Sequence, residues 1–176
     1  MPLLMKHTGP LWGIWKIEEP SEVLLALLQN RKEYLPQLEL IRTEQRRREW
    51  LASRVLLQEL TGGSALIAYH PNGAPYLSGS SLHISISHTK GYAAVLLQDH
   101  PAAGIDIEYR SERVSRIRSR FMNPEEEAGI DKEYETEHLL LHWCAKETLF
   151  KMVGYEEVDF LRHLHVCPFP YAEKGS

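Results

Sequence analysis

Apolar and polar positions change their period several times along the chain, and each change marks an element. The stretch "LWGIWKI", residues 11–17, is a short apolar run bounded by polar residues and predicts a strand. "SEVLLALL", residues 21–28, predicts a helix with Ser21 as its N-cap. From Arg42 to Leu60 the residues Trp50, Leu51, Val55, Leu56 and Leu60 recur at helical spacing, and Gly62-Gly63 ends the pattern. Short strands follow in "ALIAYH", after the turn "PNGAPYL", in "LHISISH" and in "YAAVLL", the last two joined as a hairpin through "TKG". A further strand is expected from Ala103 through "GIDIEY". Next comes "NPEEEAGI", where Asn123 caps, Pro124 takes the first helical position and Glu126 completes a capping box. A long helix over about 135–153 and a strand-like "HLHVCPF" complete the chain. Strand-then-helix order occurs in both halves, which allows two similar lobes.

Composition narrows this picture only in part. With 176 residues and 43% hydrophobic content the chain can bury a core in one domain or in two small lobes. No run of 18 apolar residues occurs, and the first residues lack the order of a signal peptide, so a cytoplasmic protein without a membrane segment is expected. Cys144 and Cys167 are too few for a disulfide framework and lack metal-ligand spacing. The net charge of −4 argues against nucleic acid as a partner. Positive charge is nevertheless concentrated in Arg46-Arg47-Arg48 and in Arg110, Arg113, Arg116, Arg118 and Arg120.

Three segments carry candidate chemistry. In a strand, Asp106 and Glu108 of "AAGIDIEYR" would share one face, about 7 Å apart at Cα, either as a solvated acidic face or as a pair reaching one cation. In "HWCAKETLFKMVG", residues 142–154, apolar side chains surround the helix, so Lys146, Glu147 and Lys151 need partners or a ligand. Glu147 and Lys151 can pair four apart; a carboxylate beside two lysines also suits a metal and polyphosphate. Ser87-His88 at the end of a strand can bind phosphate or simply close a hairpin. His138 and His142 lie four apart without the glutamate of a zinc-protease motif, and zinc is not expected there.

"SISH", "GIDIE" and "WCAKETLFK", in that order, resemble the 4′-phosphopantetheinyl transferases, specifically the two-lobe, surfactin-synthetase-activating type. Gly104-Ile105-Asp106 and Trp143-Cys144-Ala145-Lys146-Glu147-Thr148-Leu149-Phe150-Lys151 carry the signature, with Thr148 where the family has alanine or serine. The resemblance implies an α+β fold of two similar α/β lobes, a pseudo-dimer, over residues 1–101 and 102–176, with the second lobe shortened at its C-terminus. It implies transfer of the 4′-phosphopantetheine arm of coenzyme A to a serine of an acyl or peptidyl carrier protein, releasing adenosine 3′,5′-bisphosphate, by a monomer. Asp106, Glu108 and Glu147 would hold Mg²⁺. Lys146 and Lys151 would meet the phosphates, Ser87 and His88 the 3′-phosphate, with Arg54 or Arg48 adding charge from the long helix. Glu147, beside Lys151, or a metal-bound water would take the serine proton. The turn Gly73-Ala74-Pro75 lacks the lysine that family members usually carry there. That departure and the short end point to the alternative, a non-catalytic member that binds coenzyme A or a carrier protein.

Overall fold

The computed structural model describes residues 2–63, 65–100, 103–154 and 157–174. They divide into two compact units, Met1–Ile107 and Glu108–Ser176. The expected lobe boundary, between residues 101 and 102, lies outside the described residues, as does Ala102 at the head of the acidic segment.

The first unit is a four-stranded antiparallel sheet covered by a long helix. Its strands are β1 (Leu3–Thr8), β2 (Leu11–Lys16), β5 (His83–Thr89) and β6 (Tyr92–Gln98), in the order β1-β2-β6-β5. β3 (Leu66–Tyr69) and β4 (Pro75–Ser78) form a separate two-stranded ribbon. Three helices, α1 (Ser21–Leu27), α2 (Arg31–Glu39) and α3 (Glu44–Thr61), lie between β2 and β3 in the chain. β1 and α2 escape the hydrophobic pattern: β1 is exposed along most of its length, and α2 contains Pro36 and buries only Tyr34. Ser21 is not the cap of α1; Pro20 holds that position, and the Ser21 hydroxyl donates to Glu44 Oε2 at 2.7 Å.

Alternation along β5 and β6 sorts their side chains onto two faces. Ile84, Ala93, Val95 and Leu97 join Leu51, Val55 and Leu56 of α3 in one core, together with Leu24 and Trp15. Leu24, Leu51 and Leu56 are fully buried, each burial stabilising the unit by about 1.5–3 kcal/mol. The close approach of α3 depends on Gly13 of β2, where a Cβ would lie 3.0 Å from Leu56 Cδ1 and from the Met5 carbonyl oxygen. Thr43 caps α3 by accepting from the Arg46 amide, and Gly62, at φ 63°, closes its C-terminus in the left-handed conformation that side chains resist.

The strand expected from Ala103 does not form. Instead the Ile105 amide donates to Ser85 Oγ at 3.1 Å and the Ile107 amide to Ser87 Oγ at 3.3 Å. The segment meets hydroxyls on a side-chain face of β5, and no strand registers over residues 103–110.

The second unit is helical among the described residues, with α4 (Arg113–Ile117), a 3₁₀ turn (Arg118–Arg120), α5 (Pro124–Ala128) and α6 (Glu135–Val153). A second strand-bearing lobe is therefore not displayed, and "HLHVCPF" is not a strand. Val114, Phe121, Met122, Ile130 and Leu139 form the core of this unit, flanked by Trp143 and Phe160. Asn123, Pro124 and Glu126 cap α5 as expected, and α6 has the bounds expected of it.

Candidate functional site

The expected residues fall on both sides of the division between the units: Arg48, Arg54, Ser87, His88 and Asp106 in the first, Glu108, Lys146, Glu147 and Lys151 in the second.

In the first unit Ser87 and His88 do not share a site, because adjacent strand residues point to opposite faces. Ser87 is buried and donates its hydroxyl proton to Asp106 Oδ1 at 2.7 Å. His88 points toward α3, where Arg46 Nη1 donates to its Nε2 at 2.5 Å and Glu49 Oε2 lies 3.5 Å from its Nδ1. Glu49 is itself buried and holds both Arg46, at 3.6 Å, and Gln45. A half-exposed imidazole and an exposed guanidinium thus stand together at the end of β5, with the Glu49 carboxylate against both. Arg46 was legible only as one of a basic run.

The two arginines proposed from the long helix are committed to structure. Arg48 donates to the carbonyl oxygens of Glu19 at 2.7 Å and Ile17 at 2.8 Å, fastening the chain after β2. Arg54 is 2% exposed and lies 3.3 Å from the centre of the Trp50 ring, with Tyr34 and Tyr69 around it. Its Nη1 donates to the Trp50 carbonyl and to Ser53 Oγ, and its Nη2 to the Tyr69 hydroxyl. Burial lowers its pKa, partly offset by Tyr69. A cation held against an aromatic face in this way stabilises the core and offers nothing to a phosphate at the surface.

Lys146 is likewise sequestered. It and Glu126 are both fully buried, 2.7 Å apart, and the ammonium donates further to the carbonyl oxygens of Phe121 at 2.5 Å and Phe160 at 3.0 Å. Three donors meet three acceptors, leaving none for a phosphate. Burial pushes the Glu126 carboxyl up, but Lys146 and the amides of Asn123 and Val166 outweigh it and hold the group below its ordinary pKa. The strand-like segment near the C-terminus thus contributes its Val166 amide to this buried pair.

Trp143, Glu147 and Lys151 stand four residues apart and run along one stripe of α6. Trp143 Nε1 donates to Glu108 Oε1 at 3.1 Å, which ties Glu108 to the head of that stripe. The sequence marked Trp143 by its apolar spacing and as the first residue of the signature, and neither announces Glu108 as its partner. Covalent geometry keeps Asp106 within about 7 Å of Glu108. Carboxylate oxygens are the hard donors that magnesium takes, and magnesium completes its shell with water and substrate phosphate. The chemistry of the set fits that ion, although among the described residues no three His, Cys, Asp or Glu side chains are drawn into one metal-sized group.

A cavity of about 950 Å³ opens beside Glu108 and Trp143, floored by Val114, Ile117, Leu140 and Phe160. Of the five clustered arginines, Arg110 pairs with Glu137, and Arg118 with Glu127 and Glu135. Arg113, Arg116 and Arg120 enter no ion pair among the described residues, and Arg113 and Arg120 line the cavity. No helix among the described residues is long and apolar enough to cross a membrane.

Residues 102–175 match the model of the 4′-phosphopantetheinyl transferase superfamily. The chain is also similar to the 4′-phosphopantetheinyl transferase AcpT of Salmonella typhimurium, 30% identical over 115 residues that cover 62% of this chain and 60% of that relative. The chain thus spans about three-fifths of the length of the curated relative it matches.

Proposed function

We propose that this protein is a magnesium-dependent 4′-phosphopantetheinyl transferase of the surfactin-synthetase-activating type, acting on coenzyme A and a carrier protein. The family match and the similarity to AcpT support the activity. The observation that carries the reading onto this chain's residues is the Trp143–Glu108 hydrogen bond, which sets an acidic residue of the signature segment at the head of the Glu147–Lys151 stripe. The division into two units supports a two-lobe architecture.

In this reading Asp106, Glu108 and Glu147 hold the magnesium ion, whose charge offsets that developing on the pyrophosphate. Lys151 faces the phosphates. Glu147 accepts the proton of the carrier serine as its oxygen bonds to the pantetheine-side phosphorus. The bond from that phosphorus to the bridging oxygen breaks, and the oxygen leaves with adenosine 3′,5′-bisphosphate. His88, with Arg46 beside it, receives the 3′-phosphate. Arg113, Arg116 and Arg120 orient an acidic carrier, since rim charges act chiefly on encounter.

One observation favours the second reading, a non-catalytic binder of coenzyme A or carrier: Lys146, Arg48 and Arg54 are committed to internal partners. Intact-mass spectrometry decides between them. Incubation with coenzyme A, Mg²⁺ and apo carrier proteins should add one phosphopantetheine to a carrier, and Asp106→Asn and Glu147→Gln should each nearly abolish the addition. Binding of coenzyme A and carrier without any mass change, across acyl and peptidyl carriers, would leave the binder.

A further inference from the structure

We infer that Ser87 is a positioning residue that orients the Asp106 carboxylate, and not an anchor for the 3′-phosphate of the donor. The inference rests on the metal role given to Asp106 in the proposed function.

A serine hydroxyl offers one proton and two lone pairs. At Ser87 the proton goes to Asp106 Oδ1 at 2.7 Å, and an oxygen lone pair takes the Ile107 amide at 3.3 Å. One side chain therefore fixes both the carboxylate and the backbone immediately after it. Two residues earlier on the same strand face, Ser85 Oγ takes the Ile105 amide at 3.1 Å. The two hydroxyls act as a side-chain ladder, gripping the amides on either side of Asp106 and leaving that residue little freedom to rotate.

Ser85 and Ser87 are each 6% exposed. A buried hydroxyl whose single proton is already donated to a carboxylate has none to offer a phosphate oxygen. A phosphate in that place would also set an anion against Asp106. The neighbouring His88 faces away, toward Arg46 and Glu49. The "SISH" segment thus divides its work: its serines build the acidic segment from one face of β5, and its histidine serves the opposite face.

The test uses the full chain with Mn²⁺ as the probe ion. Titration followed by electron paramagnetic resonance should show Ser87→Ala binding Mn²⁺ about 10-fold more weakly, the scale on which loss of a group that orients a metal ligand acts. Ser87→Thr, which keeps the hydroxyl on a β-branched side chain suited to a strand, should restore it. Calorimetric titration with adenosine 3′,5′-bisphosphate in metal-free buffer should give one affinity for all three proteins. Amide hydrogen exchange should quicken at Ile107 in Ser87→Ala, with Ile105 unchanged. Weakened nucleotide affinity with Mn²⁺ binding intact would overturn the inference, as would unchanged exchange at Ile107. Asp106→Asn separates the two layers: if it leaves Mn²⁺ binding intact the metal reading fails, whereas the exchange at Ile107 judges the Ser87 contact independently.

Discussion

Replacing Lys146 by methionine distinguishes a structural lysine from a phosphate ligand, and the structure fixes the size of the effect. The substitution keeps the length of an apolar side chain but leaves the fully buried Glu126 carboxylate without its cation, and the Phe121 and Phe160 carbonyls without a donor. Removing one member of a buried pair costs about 3–5 kcal/mol. A ceiling on the electrostatic part comes from protonation, because Glu126 can escape by taking up a proton. From an ordinary value of 4.5, that costs about 3.4 kcal/mol at pH 7, at about 1.36 kcal/mol per unit. The unsatisfied carbonyls add about 1–3 kcal/mol, so the total is a large share of the 5–15 kcal/mol that stabilises a typical domain. The pH dependence has a definite sign. In the native chain Glu126 titrates below its unfolded value, so its contribution is present above about pH 4.5 and lost as pH falls through the folded pKa. In the variant its pKa is raised instead, so the deficit shrinks to an electrostatic remainder of about 0.7 kcal/mol at pH 5. Urea unfolding at pH 7 and pH 5, followed by circular dichroism and fluorescence, measures both values, and Glu126→Gln in the same chain should recover much of the loss at pH 7. A loss below about 1 kcal/mol at pH 7, together with a steep fall in coenzyme A affinity, would refute the reasoning and return Lys146 to the phosphates.

Three further outcomes follow from the same contacts. Arg113→Glu with Arg116→Glu should raise the apparent KM for the carrier several-fold and flatten its dependence on ionic strength, with the KM for coenzyme A unchanged; an unchanged carrier KM at low salt would place docking elsewhere. Gly13→Ala should destabilise the first unit by about 1–3 kcal/mol in urea unfolding, since the new Cβ meets both a leucine methyl and a backbone carbonyl at 3.0 Å. His138 is buried against His142, and burial followed by that neighbour lowers its pKa below the usual 6.5. The unfolded chain then binds a proton that the folded one refuses, so stability should decline as pH falls below 6.5, and less steeply in His138→Gln; equal slopes would exclude the contribution.

The sequence by itself determined the elements whose signals are local. Residues 135–153 read as a helix with apolar side chains on most of its sides. Asn123, Pro124 and Glu126 read as a helix start because all the partners of a capping box lie within four residues. The motif order "SISH", "GIDIE", "WCAKETLFK" was equally legible, since it depends on residue identity and spacing alone. Partnership between distant residues was decided only by the tertiary structure. Lys146 and Lys151 belong to one motif and have the same chemistry, yet Lys146 lies on the inward face of α6 opposite Glu126, twenty residues earlier, while Lys151 shares the partly exposed stripe of Glu147. Nothing within a few residues of Lys146 announces that neighbour. The acidic segment shows the same limit: "GIDIEY" alternates as a strand should, but a strand also needs an edge to pair with. The fold presents it with the Ser85 and Ser87 hydroxyls instead, so the alternation survives while the ladder does not. Arg54 has the composition of a surface cation and ends 2% exposed, because Trp50, Tyr34 and Tyr69 converge on it from three separate elements. Local periodicity encodes which face a residue takes within its own element; which other element covers that face is a property of the packed chain.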